Sequence, residues 1–135
     1  MDPTIWGPHY WFMLHTMAFH YPIHPTSIQK KIYHRFIHNL HEFLPNRTIG
    51  TTFQKLLAEN PVTPYLDTRK DFIKWMHFIH NQVNTRLEKP TLSLKDHYKE
   101  MTQPKRGYKW VTILCGLVFT WSIYQFLQRY QAQTK

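Results

Sequence analysis

The amino-acid sequence predicts an all-α protein. Three observations do so: apolar residues recur at intervals of three and four, prolines separate the periodic stretches, and no stretch alternates convincingly at period two. The chain has 135 residues, 42% hydrophobic and 16% aromatic, too apolar for intrinsic disorder. That length allows one small domain with something appended.

The first helix is expected over Pro8 to Phe19, stopping before Tyr21 and Pro22. The second opens at Thr26, with Gln29 three residues on as its capping-box partner. It carries Ile28, Ile32, Phe36, Leu40 and Phe43 as an inward stripe and ends at Pro45. A third, from about Gly50 to Glu59, presents Phe53, Leu56 and Leu57. The fourth runs from about Thr68 to Glu88 and turns Phe72, Met76, Ile79, Val83 and Leu87 inward. A fifth begins at Ser93, capped with Asp96, and reaches Met101.

The carboxyl end has a different character. Trp110 to Gln128 contains no charged residue, and nineteen helical residues span about 28 Å, near the hydrocarbon thickness of a bilayer. Tyr108, Trp110 and Tyr124 stand near its ends, where interfacial aromatics gather. The alternative is a long buried helix of a soluble core, since Thr112, Thr120, Ser122 and Gln125 dilute the run. The expected organisation is a helical domain over 1–103, a basic linker over 104–109, a transmembrane helix over 110–128 and a tail over 129–135. Lys105, Arg106 and Lys109 precede the span, which would keep 1–109 on the cytoplasmic side of a single-pass, tail-anchored protein.

Composition excludes several function classes. One cysteine forbids an intramolecular disulfide or a CxxC pair. Four glycines and no GxGxxG or GxxxxGK[ST] leave no glycine-loop nucleotide site. The net charge of +9 is scattered rather than gathered on one element, so no nucleic-acid partner is expected. His34, His38 and His41 have helical spacing but fall on the side opposite Ile32, Phe36 and Leu40, where solvent is expected, and no metal site is assigned to them. Asn46-Arg47-Thr48 matches a glycosylation sequon, which a cytoplasmic domain would leave unused.

The informative residues are polar groups on apolar stripes. His80 falls on the Met76/Val83/Leu87 face of the fourth helix, with Asn84 one turn on at its edge. Trp11 and His15 lie one turn apart in the first, beside Leu14 and Ala18. A buried imidazole without a partner costs about 1–3 kcal/mol, so these groups should meet each other or a polar ligand. Two helices that each bring an imidazole and aromatic neighbours to one core suit a flat, heteroatom-rich cofactor; satisfied core histidines are the plainer alternative.

Three segments then carry a resemblance: WGPHYWFMLHTMAFHYP (Trp6–Pro22), FLP-x7-F (Phe43–Phe53) and HNQVNTRLEKP (His80–Pro90). Their order and spacing resemble the Erv/ALR family of FAD-linked sulfhydryl oxidases, especially its compact viral members. The resemblance implies a four-helix bundle plus a short fifth helix, a homodimer, and FAD at the mouth of the bundle. It implies FAD contacts at Gly7, Trp11, His15 and Tyr21, at His80, Asn81, Val83, Asn84, Arg86 and Lys89, and at Tyr98 or Lys99. It also implies a thiol-containing protein partner and oxygen as acceptor. Where the family carries its Pro-Cys-x-x-Cys pair, this chain has Asn46 and Ile49 after Pro45, and the family's helix-four cysteine falls at His77. A thiolate and a resolving thiol are both required for the family reaction, and neither an amide nor an alkyl group replaces them. The expectation is an FAD-binding protein impaired in dithiol oxidation, or a non-catalytic, membrane-anchored helical adaptor.

Overall fold

The computed structural model describes residues 1–102, 118–121 and 123–125. The described residues are helical, with no strand among them. Five helices follow in order: α1 (Pro3–Phe19), α2 (Ser27–Asn39), α3 (Arg47–Glu59), α4 (Arg69–Arg86) and α5 (Leu94–Thr102). A 3-10 turn, Leu40–Phe43, extends α2, and another, Thr63–Tyr65, precedes α4.

The start of each helix is set by local chemistry. α1 begins five residues earlier than its periodicity suggests, because the Asp2 carboxylate accepts the Thr4 amide and Pro3 occupies the first turn, where its missing N–H costs nothing. The helix then runs through Pro8. α2 has the expected capping box: the Thr26 hydroxyl accepts the Gln29 amide while Gln29 Oε1 accepts the Thr26 amide. α3 starts at Arg47 rather than Gly50, since Asn46 accepts the Ile49 amide at 3.1 Å. Thr68 caps α4 and Ser93 caps α5, each through an Asp three residues on.

The compact unit spans Met1–Met101. Its core takes Leu14 and Ala18 from α1, Ile37 from α2, Leu56 and Leu57 from α3, and Phe72, Ile73, Trp75, Met76 and Ile79 from α4. Tyr21, Leu40, Val62 and Leu66 complete it from the connections. Gly50 has a steric reason: a β-carbon there would lie 2.6 Å from the His41 carbonyl oxygen, so glycine lets α3 pack against the preceding turn.

Two expected stripes are corrected. Ile28 and Ile32 are 69% and 57% exposed, and Phe43 is exposed too. α2 instead buries Ile37, with Tyr33 and Phe36 half-buried, so its core face is rotated away from the Ile28/Ile32 side. Leu87 is exposed because α4 closes at Arg86, where the Leu87 amide caps the last turn and Glu88 turns the chain at φ 54°.

Among the described residues no helix is long and apolar enough to cross a membrane. Most of the expected span over 110–128 lies outside them. Within the described part of that stretch Val118, Phe119, Trp121, Ile123 and Tyr124 are helical and exposed.

Candidate functional site

One turn of α1 separates Trp11 from His15, so both side chains leave the same face toward α4. From α4, His80 follows Met76 by one turn and meets them. His15 Nε2 is 2.8 Å from His80 Nδ1, and the Trp11 ring stacks on the His80 ring at 4.0 Å with 12° between planes. The phenylalanine of α3, Phe53, sets its edge against Trp11. α5 closes the group: His97 lies 4.0 Å from His15 between ring centroids, 5.4 Å from His77 and 5.8 Å from Phe19.

The cluster is buried at its centre. His15 and His97 are each 3% exposed. The His15–His80 bond uses one nitrogen of His15, and its Nδ1 is buried with no hydrogen-bond partner; His97 Nε2 is in the same state. Burial, with His97, His80 and His77 nearby, pushes His15 down to about 2. Burial, then His97, His77 and Lys89, pushes His80 down to about 4, and burial lowers His97 as well. The imidazoles are therefore neutral near pH 7. A neutral imidazole carries one donor and one acceptor, and His15 and His80 each spend one of theirs on the bond between them.

The other expected contacts divide into two groups. Gly7 is half-buried, and a β-carbon there would meet nothing within 4 Å, so open space lies one turn before Trp11. Val83 and Asn84 are half-buried on α4, and the Asn84 carbonyl accepts the Leu87 and Lys89 amides. Arg86 is exposed and pairs with Glu59 at 2.9 Å; Lys89 and Lys99 are exposed. Tyr98 packs edge-on against Phe19. Tyr21, in contrast, is core: it is fully buried among Tyr33 and Phe72, and its hydroxyl donates to the Leu66 carbonyl. Both ends of the Asn81 amide bind the backbone of Leu92.

His97 was not among the expected residues, although the signal was present. It stands three residues after Leu94 and four before Met101, both half-buried, a polar residue on the apolar stripe of a short helix. Of the histidines expected on the solvent side of α2, His38 is exposed and His34 half-buried. Their rings stack 5.9 Å apart, and with Ile37, Lys55, Leu57 and Trp75 they help line a cavity of ≈ 410 Å³ between α2, α3 and α4. Among the described residues no three His, Cys, Asp or Glu side chains converge as a metal ion would need.

Asn46 and Ile49 lie at the start of α3, on the stripe that continues through Gly50 to Phe53 and so toward Trp11. Both are half-buried. Residues 1–102 contain no cysteine, the chain's one thiol being Cys115.

Comparison with known proteins places this geometry. The model of the Erv1 / Alr family matches residues 8–103, which include α1 from Pro8 and all of α2 to α5. A probable FAD-linked sulfhydryl oxidase of Acanthamoeba polyphaga mimivirus is 31% identical over 119 residues, covering 84% of this chain and 83% of that protein. The mitochondrial FAD-linked sulfhydryl oxidase of Saccharomyces cerevisiae is 34% identical over 80 residues, 59% of this chain and 41% of that protein. The crystal structure of the yeast Erv1 core superposes with a TM-score of 0.69 at 29% identity, covering 76% of this chain and 85% of that one. Sequence and fold agree over the same helices that build the histidine cluster, and the chain belongs to the Erv1/Alr family.

Proposed function

We propose that the chain binds FAD at the cluster formed by α1, α4 and α5, and that it does not by itself convert dithiols to disulfides. The observation that carries the first half is the pair of buried, unpartnered ring nitrogens, His15 Nδ1 and His97 Nε2, inside an aromatic cluster. Two such groups cost about 1–3 kcal/mol each unless something answers them, and a flavin's nitrogens and carbonyls are suitable partners. The names of the relatives, FAD-linked sulfhydryl oxidases, support the same ligand.

When bound, FAD supplies a two-electron acceptor. The chain's own residues bind and orient it. Trp11 and His80 offer stacking faces, His15 and His97 offer ring nitrogens, and Gly7 leaves room beside Trp11. Val83 and Asn84 line the α4 side, Arg86 and Lys89 supply positive charge for a diphosphate, and from α5 Lys99 adds charge while Tyr98 offers an aromatic ring. Tyr21 and Asn81 serve by holding the frame, since their polar groups are already engaged.

The second half rests on composition. Disulfide formation needs a thiolate and a second thiol to resolve it. At the start of α3 stand an amide and an alkyl group, Asn46 and Ile49. Any dithiol must come from a thiol-containing protein partner.

A second reading, an adaptor without redox activity, is favoured by one surface. Ile5 and Phe12 of α1 and Ile28 and Ile32 of α2 are exposed apolar side chains. A helix apolar on both sides is normally covered on both, and a second copy of the chain is the cover we infer. For either reading we propose that 110–128 anchors the chain in a membrane with 1–109 on the cytoplasmic side. The charge-free run and the exposed Val118, Phe119 and Trp121 support this.

The visible spectrum of the purified full chain separates the readings. Flavin bands at about one FAD per chain support the flavoprotein; a colourless protein with native helix content supports the adaptor.

A further inference from the structure

The connection between α4 and α5 runs over residues 87–93 and is exposed throughout. Leu92 is 40% exposed, so apolar burial contributes little to fixing it. Its backbone is nevertheless held at both polar groups by side chains from α4. Asn81 Oδ1 accepts the Leu92 N–H at 3.2 Å, and Asn81 Nδ2 donates to the Leu92 carbonyl at 2.9 Å. His77 Nε2 lies 2.8 Å from the same carbonyl oxygen. Asn81 Nδ2 also lies 3.2 Å from His77 Nε2; a carbonyl only accepts, so the bond to Leu92 takes the tautomer with its proton on Nε2. Residues 77 and 81 are one helical turn apart, which sets their two donors side by side on one oxygen.

The grasp matters because Leu92 directly precedes Ser93, the cap from which α5 starts. Ser93 caps that helix through the Asp96 amide, and the Ser93 carbonyl accepts the His97 amide at 3.0 Å. His97 is thus tied to Leu92 by a single turn of capped helix. Its ring is buried against His15 and faces His77.

We propose that His77 and Asn81 are positioning residues. By grasping Leu92 they fix where α5 begins, and so they hold the His97 ring against His15. The role in ligand retention rests on the FAD reading above; the grasp itself does not.

The test uses the full chain without flavin, with amide hydrogen exchange and His ring resonances followed by NMR. Asn81→Leu and His77→Leu are expected to speed exchange about tenfold at Leu92 and through α5, to shift the His97 ring, and to leave α2 and α3 unchanged. His77→Gln keeps a donor at the reach of Nε2 and is expected to behave as wild type. His77→Asn, whose amide reaches only as far as Nδ1, is expected to behave as His77→Leu and stands in for it if the leucine variant does not fold. Unchanged exchange at Leu92 and α5 in Asn81→Leu, or failure of His77→Gln to rescue, overturns the proposal. With FAD present, the same variants are expected to release it about tenfold faster. Faster exchange without faster release overturns the retention role. If the wild-type chain takes up no FAD, the flavin reading fails while the exchange and ring-shift results still decide the grasp.

Discussion

His15 Nε2 and His80 Nδ1 lie 2.8 Å apart, a hydrogen bond between two imidazoles contributed by helices 65 residues distant in the chain. Such a bond requires that at least one ring be neutral, and burial holds both well below the usual histidine range. It also commits one nitrogen of His15 to the protein and leaves the other, Nδ1, buried without a hydrogen-bond partner.

Replacing His15 by Phe separates its structural cost from its ligand role. A benzyl group fills similar volume and removes a buried nitrogen whose missing partner costs about 1–3 kcal/mol. In the ligand-free chain the relief of the orphaned Nδ1 offsets the lost bond to His80, so the melting temperature is expected to change by only a few degrees, while FAD affinity falls more than about tenfold, the weight of one lost buried hydrogen bond. Differential scanning fluorimetry and a flavin-binding isotherm check the two halves. A marked loss of stability with unchanged affinity contradicts this role.

Stability should fall with acid. His15, His80 and His97 have pKa values lowered on folding, so the unfolded chain binds protons first as pH drops below about 6.5. Unfolding free energy is therefore constant above that value with respect to these groups and declines below it, through about 4 for His80. His15, pushed down to about 2, contributes a slope of at most about 1.4 kcal/mol per pH unit. Urea melts at pH 7.5, 6, 5 and 4 measure it, and the His15→Phe variant should show a shallower decline.

How much of this was legible in the sequence depends on which force set each feature. Caps were legible at Thr26, Ser93 and Asp96 because they are local chemistry, and His15 and His80 because a polar residue interrupts an apolar period. The inward face of α2 was not. Ile28 and Ile32 satisfy the period as well as Tyr33 and Ile37 do, and only packing against α4 and the Tyr21 region decides between them. His97 escaped because a nine-residue helix gives too short a period to make one polar residue conspicuous. The exposed position of His38 was legible from the period, whereas the cavity beside it was not, because three helices build it.

Restoring sulfur should restore chemistry. Asn46→Cys with Ile49→Cys places two thiols one turn apart at the start of α3, where the helix dipole favours a thiolate. The double variant is expected to gain dithiol-dependent oxygen consumption that the parent chain lacks, measured with an oxygen electrode. It should also lose about 1 kcal/mol of stability with the Asn46 cap. A variant that binds FAD and remains inert contradicts the assignment of those two positions.

Removing the charge-free run tests the anchor. A chain lacking residues 110–128 is expected in the soluble fraction after membrane flotation, with the full chain in the membrane fraction. An unchanged distribution contradicts the anchor and leaves the flavin reading untouched.

The most direct test of the flavin assignment is an NMR titration of FAD into the full chain carrying nitrogen-15 histidine. His15 Nδ1 and His97 Nε2 are expected to shift together and to saturate at about one FAD per chain, with the His34 and His38 rings unmoved. Saturable shifts at His34 and His38 instead, or no shift at any imidazole of the α1, α4 and α5 cluster, would contradict it.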